Sequence, residues 1–196
     1  MLTILQSALS DLCGIIWTVG TQFFIDETKA KGYVVVAATC PDASLGLARR
    51  VVGRLVLPGQ HSIHMKHESS RRRSQIADSI VGLHEVGIHA IVLDAGRGPD
   101  PEYVRRERAL RAIVAYAASE PAANLVIDLD QTLVARDART ITLAVHALEA
   151  SSITYSHQSL TAQPLLAILD VIAWCWARGG EWRRRVASVI AETVQV

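Results

Sequence analysis

Residues 165–176 read Leu-Leu-Ala-Ile-Leu-Asp-Val-Ile-Ala-Trp-Cys-Trp, a run that is apolar on every side of a helical wheel except at Asp170. A helix of that kind cannot lie on a surface, because it has no polar face to turn to water; other elements must cover it on all sides. The run falls short of the roughly 18 apolar residues that a membrane span requires, so the expected cover is protein rather than lipid. A chain of 196 residues with 50% hydrophobic side chains can build one core of this kind, which makes a single domain over 1–196 the expectation.

The rest of the chain alternates short apolar runs with helical patterns. Residues 22–26 and the β-branched run 32–39, with Val34, Val35 and Val36, predict a strand hairpin that turns at 28–31. After Pro41 a short helix is expected to about Val52. Segments 54–57 and 63–66, around the Pro58-Gly59 turn, each offer a third strand. Ser69 and Ser70 cap a helix over 71–86 that stops at Gly87, and a strand over 88–93 ends at Asp94. Pro101 opens a helix to about Ala118, followed by a strand at 125–128, a helix at 137–149 and a strand at 152–156. Pro164 starts the buried helix, Gly179-Gly180 breaks it, and 182–190 read as a basic helix. In residues 1–19, Leu2, Leu5, Leu9, Leu12 and Ile16 recur at helical spacing and predict a helical extension. With no basic start and with Asp11 inside it, a secretory signal is not expected there. This order predicts an α/β mixed sheet flanked by helices.

Lys and Arg total 20 against 19 Asp and Glu, so no overall field draws in a polyanion, and nucleic acid would need a local basic patch. Arg71, Arg72 and Arg73 form one such run and Arg183, Arg184 and Arg185 another; solvated helix faces are the ordinary alternative for both. Three cysteines without metal-type spacing suit free thiols in a cytoplasmic protein. Trp174, Trp176 and Trp182 are expected to pack into the core, and any exposed subset would mark a partner or homodimer contact.

Three segments carry a family resemblance. An apolar strand ends in Asp26-Glu27-Thr28. Ile63-His64-Met65-Lys66-His67-Glu68 precedes Arg71-Arg72-Arg73. Gln163-Pro164-Leu165-Leu166-Ala167-Ile168-Leu169-Asp170 leads to Ala173-Trp174. Together, over about 22–190, they resemble the DUF-3800 family, a domain of unknown function grouped with ribonuclease H-like nucleases. The resemblance implies a ribonuclease H-like mixed sheet with an antiparallel N-terminal hairpin. It also implies carboxylates on the first strand and the last helix, here Asp26 and Asp170, that converge with others on Mg²⁺ or Mn²⁺. Thr28 stands where that family commonly has serine, and no glycine follows it directly.

The chemistry agrees, because such ions prefer hard oxygen ligands and stabilise the oxygens of phosphodiester hydrolysis. Asp170 is the most telling acid, since a charge inside an apolar helix needs a cation or hydrogen-bond partner; a structural ion pair, for instance with Arg178, is the bland alternative. Asp26 and Glu27 point to opposite faces of a regular strand, and Asp26 is taken to face the helix. The third ligand stays open between Asp94, Asp128 and Asp130, each at or just past a strand end; the family resemblance, with its acid after a later strand, implies Asp128 beside Asp26 and Asp170 as the catalytic set. His64 and Lys66, with the Arg71–73 run, are the expected phosphate contacts. Asp128-Leu129-Asp130-Gln131-Thr132 also resembles a haloacid-dehalogenase nucleophile motif, but every lysine (Lys29, Lys31, Lys66) lies upstream of it. His61, His64 and His67 lack the companions of a zinc site. The expected function is a metal-dependent nuclease on RNA or DNA. The alternative is a non-catalytic ribonuclease H-like module that binds nucleic acid or protein.

Overall fold

A computed structural model describes residues 20–196; the helical extension expected at 1–19 and Cys13 lie outside them. Six strands form one sheet: β1 (Thr21–Thr28), β2 (Val34–Pro41), β3 (His89–Asp94), β4 (Ala123–Asp128), β5 (Ile153–Gln158) and β6 (Ile190–Gln195). Their order across the sheet is β5-β4-β1-β2-β3-β6. β1, β2 and β3 pair antiparallel, while β4 lies parallel to β1, β5 parallel to β4, and β6 parallel to β3. The predicted N-terminal antiparallel hairpin is therefore present, inside a mixed sheet.

Helices cover both faces. Side chains alternate along each strand, so Phe24, Val34, Val36, Val92 and Val126 share one face. They pack under α1 (Leu45–Leu55), α2 (Ser70–Val81) and α5 (Ala167–Arg178). Phe23, Ile25, Val35, Leu93, Leu125 and Ile127 face the other way, toward α3 (Glu102–Ala117) and α4 (Val134–Ala147). The apolar run around Asp170 forms α5, which packs on β1 and β2 and is buried on nearly every side, as its composition requires. Ser69 caps α2 by accepting from the Arg72 N–H, and Gly87, at φ 81°, ends the 3-10 turn that follows in the left-handed conformation that glycine adopts most cheaply.

Two expectations are corrected. Neither 54–57 nor 63–66 is a strand. Leu55 completes the apolar stripe of α1 that Ala48 and Val52 begin, while Ile63 and Met65 plug into the core from an irregular segment. Met65 spends its N–H on the Asp170 side chain rather than on a ladder. The third strand is β3, reached only after two helices. Residues 182–190 are not one helix either: α6 (Gly180–Arg185) gives way to a 3-10 turn and then to β6 along the open edge of β3. Trp182, Val186 and Val189 keep helical spacing through that turn because all three reach the core, which hides the strand that follows. Cys40 and Cys175 are free and buried, and burial pushes their thiols up to about 11 and about 12. Among the described residues no helix is long and apolar enough to cross a membrane.

Candidate active site

β1 runs beneath α5 and carries Asp26 on the same face as Phe24, so the carboxylate points toward the buried helix. Glu27 follows Ile25 to the opposite face. β4 lies beside β1 in parallel, with Ile25 aligned to Ile127, and thus sets Asp128 next to Asp26 at the same end of the sheet. Asp170, one turn into α5, comes down from above. Asp26 and Asp170 line one pocket of about 580 Å³, and Asp26 and Asp128 line an adjoining one of about 550 Å³.

Each carboxylate has a fixed orientation. The Glu27 N–H donates to Asp26 Oδ1 at 2.7 Å, and the Met65 N–H donates to Asp170 Oδ2 at 2.7 Å. Asp170 forms no ion pair with Arg178 or any other described residue, so its one protein partner is an amide. Burial pushes the Asp26 carboxyl up to about 7, with the Asp128, Glu27 and Asp170 charges adding to the rise and the Glu27 amide opposing it. Asp128 and Asp170 are raised by burial too. The Leu129 amide and Arg106 oppose the rise at Asp128; the Met65 amide, His64, Lys66 and His67 oppose it at Asp170. All three are raised chiefly by burial, a cost to the charged form that a bound cation would offset. Their donors are all hard oxygens, the set that suits Mg²⁺ or Mn²⁺. Among the described residues no three His, Cys, Asp or Glu side chains are gathered closely enough to enclose an ion.

The other expected residues divide. Asp94 does not join the group: β2 lies between β3 and β1, which sets it roughly 10 Å away. Its Oδ1 accepts the Gly96 N–H at 2.9 Å. Asp130 folds onto its own turn, accepting the Thr132 N–H and hydroxyl, and those bonds lower its pKa. His64 and Lys66 are exposed near Asp170. Arg71 is exposed as well, but Arg72 and Arg73 are spent inside the protein. Arg72 reaches Glu68 and the Leu55 carbonyl, and Arg73 donates to the Met65 and Lys66 carbonyls at 2.7 and 3.0 Å. The three tryptophans pack partly buried against the core.

A second charged cluster lies on the opposite face of β1 and has no sequence signature. Arg106 of α3, 3% exposed, bonds both oxygens of Asp137 on α4 at 2.8 Å and also reaches Glu27. His157 of β5 contacts Asp137 at 3.1 Å. Glu27 is thereby committed to Arg106, which leaves Asp26 as the residue of the pair that faces α5. Only the position of an arginine within the apolar stripe of α3 could have betrayed this network, and the same helix also carries the ordinary surface arginines Arg108 and Arg111.

No protein-family model and no curated protein matches the chain. Among solved structures, it is similar to the RNase HII chain of the PCNA:RNase HII complex from Archaeoglobus fulgidus. The identity is 14%, the TM-score is 0.52, and the match covers 82% of this chain and 73% of that one. At that identity the likeness shows the fold, which is ribonuclease H-like.

Proposed function

We propose that this chain is a divalent-metal-dependent nuclease that hydrolyses nucleic-acid phosphodiesters, with Asp26, Asp128 and Asp170 as the acids that would hold Mg²⁺ or Mn²⁺. The observation that carries the reading is that Asp26 of β1 shares one pocket with Asp170 of α5 and an adjoining one with Asp128 of β4, at one end of the sheet. The resemblance of the three sequence segments to the DUF-3800 family points the same way, as does a fold shared with a protein named RNase HII.

A divalent ion bound there would stabilise charge on the attacking and leaving oxygens of a phosphodiester. The chain's own residues do the positioning. The Glu27 and Met65 amides hold one oxygen each of Asp26 and Asp170, leaving the second oxygen of each carboxylate without a described protein partner. Burial keeps water from screening these charges, so their pull on a cation is stronger than it would be on a surface. Lys66, close to Asp170, supplies positive charge on the side from which a phosphate would approach, and the exposed His64 stands beside it as a hydrogen-bonding group.

Calorimetry of Mn²⁺ binding to the wild type and to Asp170→Asn, alongside cleavage assays on single- and double-stranded RNA and DNA, tests the reading. Asparagine still accepts the Met65 N–H, so the fold is retained while the charge is lost. The expected result is binding in the wild type, its loss in the variant, and a fall in cleavage of roughly two to three orders of magnitude, equivalent to about 3–4 kcal/mol of transition-state stabilisation. Equal or absent binding in both proteins, with no substrate cut, overturns it and favours the non-catalytic binding module.

A further inference from the structure

The larger pocket is asymmetric. Its one wall is a stripe of α5 formed by Asp170, Ala173, Trp174, Ala177 and Arg178, residues that recur at the i, i+3, i+4 spacing of one helix face. The two alanines keep the groove open between the acid at one end and the arginine at the other. The same pocket is lined by Lys31, just past β1, and by Lys66 of the turn that Asp170 holds. Lys31, Lys66 and Arg178 are all exposed, and among the described residues none of them forms an ion pair. Lys66 lies near Asp170, while Lys31 and Arg178 have no carboxylate partner among the described residues.

From this arrangement we propose that the α5 groove is a second phosphate subsite, in which Lys31 and Arg178 hold a phosphate other than the one at Asp26, Asp128 and Asp170, with Lys66, near Asp170 in the same pocket, serving both. The eight-residue span from Asp170 to Arg178 covers about 12 Å of helix axis, too far for one phosphate to serve both ends. Lys66 is presented rigidly. Asp170 binds the Met65 N–H and Arg73 takes the carbonyls of Met65 and Lys66, so the short turn that carries the lysine is pinned from both sides. Such pre-ordering lowers the entropy cost of binding, and it makes Arg73 a positioning residue rather than a phosphate contact. The Trp174 ring is already covered, with the Arg73 guanidinium 5.0 Å and that of Arg178 5.9 Å from its centroid and Trp182 edge-on. The groove thus offers cations and no free aromatic face, which suits a phosphate and not a base, and recognition there is independent of base sequence.

That the phosphate belongs to the strand being cut rests on the nuclease reading; the phosphate chemistry of the groove does not. The probe is a short labelled single-stranded oligonucleotide, bearing either a 5′-phosphate or a 5′-hydroxyl, titrated by anisotropy in EDTA over a range of salt. Each of Lys31→Ala, Lys66→Ala and Arg178→Ala is expected to weaken binding several-fold whatever the base sequence. Each should also reduce the slope of log K against log salt by about 1. Arg111→Ala, on the other face of the sheet, should leave both unchanged. Losses confined to the 5′-phosphate strand identify a terminal phosphate, and equal losses on both strands identify an internal one. No wild-type binding, or slopes unchanged in both Lys31→Ala and Arg178→Ala, overturns the subsite. Parallel cleavage assays keep the two ideas apart: cleavage with unchanged slopes removes the subsite alone, and reduced slopes without cleavage remove the nuclease alone.

Discussion

Asp26 has a folded-state pKa of about 7 against 3.8 for a free carboxyl, chiefly because it is buried and then because Asp128 stands beside it. Between those two values the folded chain keeps a proton that the unfolded chain releases. The stability this contributes is complete below about pH 4 and is lost as pH rises through about 7, at most about 4 kcal/mol in all. Asp26→Asn keeps an acceptor for the Glu27 N–H and removes the charge. It should match the wild type at pH 4 and exceed it by roughly 1–3 kcal/mol at pH 8, as read from urea unfolding at both values. Parallel pH profiles for the two proteins would contradict this account of the site. Among the acids, Asp26 and Asp170 are legible in sequence because each interrupts or closes an apolar run. The choice of Asp128 over Asp94 is not, since both close apolar strands and only the strand order, with β4 beside β1 and β3 beyond β2, separates them.

At the scale of elements, the Arg106 network joins β1, α3, α4 and β5 through Glu27, Arg106, Asp137 and His157. Asp137 is 1% exposed, so removing the guanidinium would leave its charge in the interior with His157 as its one remaining described side-chain partner. Arg106→Met should cost about 3–5 kcal/mol in denaturant unfolding. Arg106→Lys should recover little of it, because an ammonium cannot reproduce the two-point bond to Asp137. The double variant Arg106→Met/Asp137→Leu should regain much of the loss, and a double variant as unstable as the single would argue against buried charge as the cause. Long periodic elements are legible in the residues themselves: α2 by its Ser69 cap, α3 by Pro101, and α5 by its apolar wheel. Segments 54–57 and 63–66 resemble strands because they carry apolar residues for tertiary reasons, as the end of one helix stripe and as plugs under another helix.

Across the whole molecule, both cores are built on β1 to β4, with β5 adding Ile153 to one of them, and β6 adds an edge whose side chains are mostly exposed. Its contribution is backbone pairing: it covers β3, whose Ala90, Ile91, Val92 and Leu93 would otherwise present an apolar strand with free N–H and C=O groups. That weak side-chain signal is why the residues of β6 do not announce a strand, and it predicts how the edge should fail. In a parallel pair alternate residues face the neighbour, so Glu192→Pro/Thr193→Pro removes at least one N–H that serves the ladder whichever way the strand is turned. The variant should keep its core, and with it the Mn²⁺ response if the nuclease reading holds, but uncover β3 and self-associate with rising concentration. Light scattering reads the association, and amide exchange at β3 reads the uncovering. A variant that stays monodisperse with β3 protected would mean that the edge is guarded by something other than β6, whereas loss of the entire fold would mean that the sixth strand is part of the core rather than its cover.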